Sequence, residues 1–312
     1  MSIVAIVGPT ASGKTALALR LAEQVDLEVV SADALQVYRG FDIGTAKPGA
    51  AERARVPHHL LDILDPDQAF SAGRFAEEAR TAVAQIRRRG RLPVVVGGSG
   101  LYLRALLEGI GTLPRSDPEV RAALAERLER EGLEALWEDL ARRDPPTAAR
   151  LPKADRQRIL RALEIHELSG RPMSKWLADR PFGERPLEAF RVGLTLPRAL
   201  LYDRIASRVE RMIERGWVGE VAGLLAVWRD PDLPAFQAIG YRQLARHVLE
   251  GWPLDEAVDD IVRATRRLAK RQLTWFRRER DIVWYRAEDL EATARSVARR
   301  LRTLGGAVSP EV

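Results

Sequence analysis

The stretch Gly8-Pro9-Thr10-Ala11-Ser12-Gly13-Lys14-Thr15 constrains this chain more than any other. It fits G-x-x-x-x-G-K-[ST], follows the apolar run Ser2–Gly8 and opens an amphipathic segment from Lys14 to about Gln24. A strand, a glycine-rich turn and a helix in that order form a phosphate cradle: the glycines let successive N–H groups turn inward, and the helix N-terminus adds positive potential. Lys14 supplies a full charge for a terminal phosphate, and the Thr15 hydroxyl can hold a magnesium ion. A polyphosphate ligand is therefore expected, held by residues Gly8 to Thr15.

Further apolar runs follow at Glu28–Asp33, Leu92–Gly97, Phe190–Leu196 and Asp281–Tyr285. Helical patterns separate them at Gly73–Arg89, Leu101–Leu107 and Leu200–Arg215. Strands alternating with helices predict an α/β fold with a doubly wound parallel sheet. Between them the pattern turns helical (Pro118–Glu131, Leu133–Arg143, Asp155–Leu168), punctuated by Pro145-Pro146 and the Gly/Pro-rich Arg180–Pro186. The expected organisation is a core of residues 1–112 and 190–312 with a helical insertion at 113–189. At 312 residues the chain has room for both.

In such a sheet, ligands sit beyond the carboxyl ends of the strands. Asp33 and Ser99 lie at such ends, so both are expected beside the phosphate loop. A carboxylate there can bind metal or act as a general base; a serine there can also cap the next helix. Motor and switch nucleotidases place an acid after a second strand. Here that strand ends in Gly97-Gly98-Ser99. The loop alone still admits a small-molecule or nucleotide kinase using ATP. Arg204 and Arg208, one helical turn apart after the Phe190–Leu196 strand, are candidates to neutralise a diphosphate.

The chain carries a formal charge of +6 and no cysteine, so disulfides and thiolate zinc sites are excluded. Between Ile261 and Arg278 there are seven Arg or Lys and no acid. At 100° per residue, Arg263, Arg266, Arg267, Lys270, Arg271, Arg277 and Arg278 fall within an arc of about 140°. Ile261, Leu268, Leu273, Trp275 and Phe276 take the other side. One face is expected to pack on the core and the other to meet the phosphates of a nucleic acid. No apolar run approaches the length of a membrane span. The chain's start, without a basic leader, leads to a cytoplasmic expectation.

Several segments together resemble the tRNA dimethylallyltransferases, also called tRNA isopentenyltransferases. They are GPTASGKT, SADALQVYRGFDIGTAKP (Ser31–Pro48), VPHHLLD (Val56–Asp62), VVGGSGLYLRALLEG (Val95–Gly109), AIGYRQL (Ala238–Leu244) and LAKRQLTWFRR (Leu268–Arg278). The resemblance implies a P-loop NTPase-like core whose helical insertion clasps an anticodon stem-loop. It implies dimethylallyl diphosphate as donor, magnesium as cofactor, and the amine of the adenine 3′ of the anticodon as acceptor. It makes Asp33 the general base, with Ser99 and Lys14 beside it. It places tRNA contacts at Asp33, Ala34, Leu35, Gln36, Ser99 and Arg121. Further contacts fall at Gln157, Arg158, Arg161, Gly240, Tyr241 and Arg242, and on the basic helix at Arg266, Lys270, Arg271 and Arg277. The family usually carries Thr at the place of Ser99 and Ser at the place of Ala34; the first change keeps a hydroxyl, the second removes it. The zinc finger of eukaryotic relatives is missing, as in a bacterial-type enzyme, and a monomer without protein partners is expected.

Overall fold

Five of the six strands are runs of mainly apolar residues, most of them buried on both faces, as a parallel sheet covered by helices requires. In the computed structural model, which describes residues 3–109, 113–179 and 186–304, the first half runs β1 (Ile3–Val7), α1 (Lys14–Leu21), β2 (Leu27–Ala32), α2 (Ala50–Arg55), β3 (His58–His59), α3 (Ala72–Arg88), β4 (Leu92–Gly97) and α4 (Gly100–Glu108). Then come α5 (Pro118–Arg143), α6 (Pro145–Ala148), α7 (Arg156–Ser169) and α8 (Met173–Asp179). The chain ends with β5 (Ala189–Thr195), α9 (Arg198–Glu214), α10 (Trp217–Trp228), α11 (Tyr241–Glu250), α12 (Leu254–Phe276), β6 (Ile282–Arg286) and α13 (Leu290–Thr303). Ser2, where the first strand was expected to start, and most of the expected Arg180–Pro186 turn lie outside the described residues.

All strand pairs are parallel, in the order β3-β2-β4-β1-β5-β6. Val7 of β1 pairs with Gly97 of β4 and Gly193 of β5. Consequently the loops that follow these strands, and the one after β2, emerge side by side at one end of the sheet. Leu17, Leu21, Val94, Val192 and Leu201 lie in one buried cluster with Val297 and Leu301 of α13. A second cluster gathers Phe41, Trp217, Phe236, Tyr241 and Ile261.

The chain divides into two compact units, Met1–Leu107 with Leu187–Val312, and Glu108–Pro186. In the first, the Leu187 amide donates to the Leu107 carbonyl at 2.8 Å, which brings the two crossing points together. The second is helical, with Leu124, Leu128, Leu136, Leu140, Ile159 and Leu163 as its core. Within α5, Gly132 takes φ 81 and ψ 164, a conformation no helix uses. It separates the two segments that the sequence pattern distinguishes. Asp117 caps α5 by accepting from the Glu119 and Val120 amides, and Asp155 caps α7 by accepting from Arg158.

Candidate active site

The phosphate loop depends on backbone that only glycine supplies readily. Gly8 has φ 147, and a Cβ there would lie 2.7 Å from the Leu194 carbonyl oxygen; Gly13, with φ 91, precedes α1. Ala11 also takes a positive φ, 62, which costs a non-glycine residue about 1 kcal/mol. Lys14 folds back on the loop, its Nζ donating to the Pro9 carbonyl at 2.7 Å and the Gly8 carbonyl at 3.1 Å. Burial, with repulsion from Arg208, brings its ammonium down to about 7 against the opposing pull of Asp33. The Ser12 hydroxyl is buried and has no hydrogen-bond partner among the described residues.

Asp33 follows β2. Its Oδ1 accepts the Leu35 amide at 2.9 Å and the Gln36 amide at 3.4 Å, leaving Oδ2 without a hydrogen-bond partner among the described residues. Gln36 then secures the next segment. It accepts from the Ser31 hydroxyl at 2.8 Å, and its Nε2 donates to the Thr45 and Ala46 carbonyls at 3.2 and 3.3 Å. The buried ammonium of Lys47 bonds to Asp42, Asp62 and the Tyr38 carbonyl. From α10, the Glu220 carboxylate accepts from the amides of Asp42, Ile43 and Gly44 and from the Tyr241 hydroxyl. Much of the long segment after Asp33 is therefore pinned by its own polar residues.

These pieces surround a cavity of about 620 Å³. Thr10, Ala11, Gly13, Lys14 and Thr15 line one side, and Asp33, Leu35 and Gln36 another. Helix α9 contributes two kinds of wall. Arg208, Arg211 and Arg215 face the cavity at i, i+3 and i+7, and none has an acid partner among the described residues. Ile205, Val209 and Met212, on the same helix, supply apolar surface, with Ile239 and Leu268 nearby. Burial lowers the pKa of the Arg208 guanidinium, while the Asp33 carboxylate opposes the shift. Polyphosphate, carboxylate and hydrocarbon can thus be met in one space.

Hard oxygen donors that line this cavity include the Thr15 hydroxyl and the Asp33 carboxylate; the Glu52 carboxylate also lines it but accepts the Gly49 amide at 2.9 Å. No group of three or more His, Cys, Asp or Glu suited to a metal occurs among the described residues. That donor set fits an ion carried in with a diphosphate and keeping several waters, as magnesium does, rather than one caged by protein.

Some expected site residues stand elsewhere. Arg204 lies one turn before Arg208 on the same face of α9, but it is drawn to the Ala287 carbonyl, to which it donates at 3.4 Å, and does not line the cavity. Tyr241 is fully buried in the cluster around Phe41 with its hydroxyl held by Glu220 at 2.6 Å, so its ring is a packing element and not an exposed RNA contact. Gly240 seats the Trp217 indole: a Cβ there would lie 2.0 Å from the ring. Arg242, in the first turn of α11, is exposed. On α12 Arg263, Arg267, Lys270 and Arg271 are exposed, as are Arg277 and Arg278 at its C-terminal end, but the guanidinium of Arg266 lies 5.1 Å over the Tyr202 ring and so leaves the outward row. Ser99 immediately precedes α4 and does not line the cavity; Ser99 and Ala34 are both half-buried.

In the helical unit, Gln157 and Arg158 are exposed at the start of α7. Arg161 is engaged by Glu164 at 2.7 Å and the Pro114 carbonyl at 2.5 Å; Arg121 lies 3.6 Å from the same buried Glu164. Arg211 and Arg215 escaped the sequence reading because an Arg-rich chain hides them; their spacing from Arg208 was the available signal.

The family model for IPP transferase matches residues 36–279. The chain belongs to the IPP transferase family. It is 47% identical over 299 residues to the tRNA dimethylallyltransferase of Syntrophobacter fumaroxidans, covering 96% of this chain and 87% of the relative. With the tRNA dimethylallyltransferase of Geobacter metallireducens it shares 49% over 282 residues, 90% of this chain and 91% of that one. Among solved family structures, the tRNA isopentenylpyrophosphate transferase of Bacillus halodurans superposes with a TM-score of 0.71 at 38% identity, covering 97% of this chain and 96% of the other. A eukaryotic dimethylallyltransferase solved acting on tRNA gives a TM-score of 0.81 at 26% identity, over 99% and 81% of the two chains. The family's prenyl-transferring activity makes this chain a transferase.

Proposed function

We propose that this chain transfers the dimethylallyl group of dimethylallyl diphosphate to the exocyclic amine of the adenine 3′ of a tRNA anticodon, releasing diphosphate. The observation that carries this reading is the shared cavity: a phosphate loop, a carboxylate with one free oxygen and an apolar wall line the same 620 Å³. Phosphoryl transfer itself does not require hydrocarbon surface beside the phosphate loop. A five-carbon allylic chain can use it, and burying that chain contributes about 25 cal/mol per Å² of apolar surface removed from water.

The acceptor base must leave its stack to reach the cavity, which is cheap in a single-stranded loop. Asp33 Oδ2 accepts a hydrogen bond from the amine and takes its proton as the nitrogen attacks the allylic carbon. The carbon–oxygen bond breaks, and its electron pair leaves with the diphosphate. Loop amides, Lys14 and Arg208 absorb that charge; such preorganised donors typically contribute a few kcal/mol each. Thr15 would hold a magnesium ion beside the diphosphate, where the ion would supply further neutralisation. Asp33 then returns its proton to solvent.

The exposed cations of α12 and, in the helical unit, Arg121, Gln157 and Arg158 are the proposed tRNA contacts. No helix among the described residues is long and apolar enough to cross a membrane; the cytoplasm, where tRNA is processed, is the proposed location. Incubation with labelled dimethylallyl diphosphate and unmodified tRNA tests the reading. Label is expected on the tRNA, and phosphoryl transfer from ATP to nucleosides or tRNA would overturn it.

A further inference from the structure

Helix α12 has two working faces. Outward it presents Arg267, Lys270, Arg271 and Arg277, all exposed. Inward, Ile261, Thr265, Leu268 and Gln272, at i, i+4, i+7 and i+11, line the cavity. Gln272 is the one member of the inward row with an amide. Its Oε1 accepts the Thr10 amide of the phosphate loop at 2.8 Å, and its Nε2 donates to the Gly98 carbonyl at 3.1 Å. Thr10 follows β1 and Gly98 follows β4, so a single side chain ties together the loops of two neighbouring strands. The seat is close-fitting: a Cβ on Gly98 would fall 2.3 Å from Nε2 of Gln272.

The residue after Thr10 is Ala11, with its positive φ of 62. Such backbone persists where its surroundings hold it, and the Gln272 contact is a hold on its immediate neighbour. We propose that Gln272 is a positioning residue that ties the phosphate loop to α12, so that a polyanion bound on the helix's outer face strengthens diphosphate binding on its inner side. The inference rests on the RNA-binding reading of that outer face. Its physical basis is entropic: a helix fixed by phosphate contacts holds Gln272, and through it the loop, so less order is lost when diphosphate binds. Direct electrostatics predicts the reverse sign, since RNA and diphosphate are both anions. The sign therefore separates the two effects.

The test uses the full chain with magnesium pyrophosphate and an anticodon stem-loop RNA bearing an abasic site in place of the acceptor adenine. The abasic site removes contact between base and donor site. Wild type is expected to bind pyrophosphate at least about fivefold more tightly with saturating stem-loop than without it. In Gln272→Met and Gln272→Asn, neither of which reaches both partners, the factor should fall below about twofold while stem-loop affinity stays unchanged. In turnover these variants should raise the donor KM more than they lower kcat. Hydrogen exchange of the loop amides in wild type needs no variant, and stem-loop should slow it. Unaltered exchange, tighter pyrophosphate binding that persists in both variants, or no tightening in wild type would each overturn the inference. Prenylation of intact tRNA, measured separately, reports on the proposed function alone.

Discussion

Oδ1 of Asp33 accepts the Leu35 amide at 2.9 Å, so the carboxylate that lines the cavity also builds the turn after β2. Asp33→Asn keeps an oxygen for that amide and loses the proton acceptor. Turnover with both substrates saturating is expected to fall by about 10²–10⁴-fold, with Kd values for tRNA and donor changed less than about tenfold. Asp33→Ala should also lower the melting temperature, because the turn loses its cap. Rescue of Asp33→Asn by excess magnesium would instead assign the residue to the metal.

Lys14 carries the pH prediction. Its ammonium is held at about 7 before ligand arrives, chiefly by burial. A bound diphosphate favours the charged form and raises that value. The complex then holds more protons than the free protein above pH 7, so affinity falls as pH rises through and beyond 7, by up to about tenfold per unit. Calorimetry in buffers of different ionisation enthalpy should show uptake of about half a proton at pH 7 and about 0.9 at pH 8. Lys14→Met, which leaves only the ligand's own titration, should lose this uptake along with much of the affinity.

Arginines on α12 should divide by face. Charge reversal at Arg267, Lys270 and Arg277 is expected to raise the tRNA KM steeply and leave pyrophosphate binding without RNA nearly unchanged. Wild-type affinity should fall with salt at a slope of about −0.7 to −0.9 per phosphate neutralised. Arg266→Ala should act mainly on stability, since its guanidinium stacks on Tyr202. A loss of about 0.5–1 kcal/mol, or about 1–4 °C in melting temperature, is expected. Normal tRNA binding in the triple variant would make the outward row a solvated surface only.

Gly240→Ala meets two obstacles, a φ of 93 and the Trp217 ring 2.0 Å from the new methyl carbon. Overpacking and left-handed backbone together cost about 2–4 kcal/mol, which lowers the melting temperature by about 5–15 °C. The obstructing atoms belong to the indole's six-membered ring. Adding Trp217→Phe should therefore recover part of the loss, a non-additivity that thermal melts of both single variants and the double variant will report.

The sheet was legible because its strands are apolar runs bounded by turns, and β4 spans the same residues in pattern and in structure. β3, two histidines long, is made by its neighbour and has no signature of its own. At the cavity, the phosphate loop and Asp33 could be placed from their motif and their position at strand ends. Arg208 could be proposed from its helix, but choosing between it and Arg204, one turn away on the same face, required the tertiary contact that takes Arg204 to the Ala287 carbonyl. Tyr241 and Arg266 read as surface chemistry until tertiary contacts claimed them. Gln272 did leave a trace: it is the one amide side chain in the acid-free stretch Ile261–Arg278.

The hydrogen bond from Leu187 to Leu107 has a meaning for how such a protein assembles and diversifies. Seen from the sheet, everything between those residues is a loop whose two ends already touch. The entropy of closing a loop grows only with the logarithm of its length, so β5 can reach its place beside β1 at nearly the same cost whether the excursion is long or short. The joint is thus a natural graft point. Helices can be lengthened, exchanged or lost there over evolutionary time while the parallel sheet keeps its register.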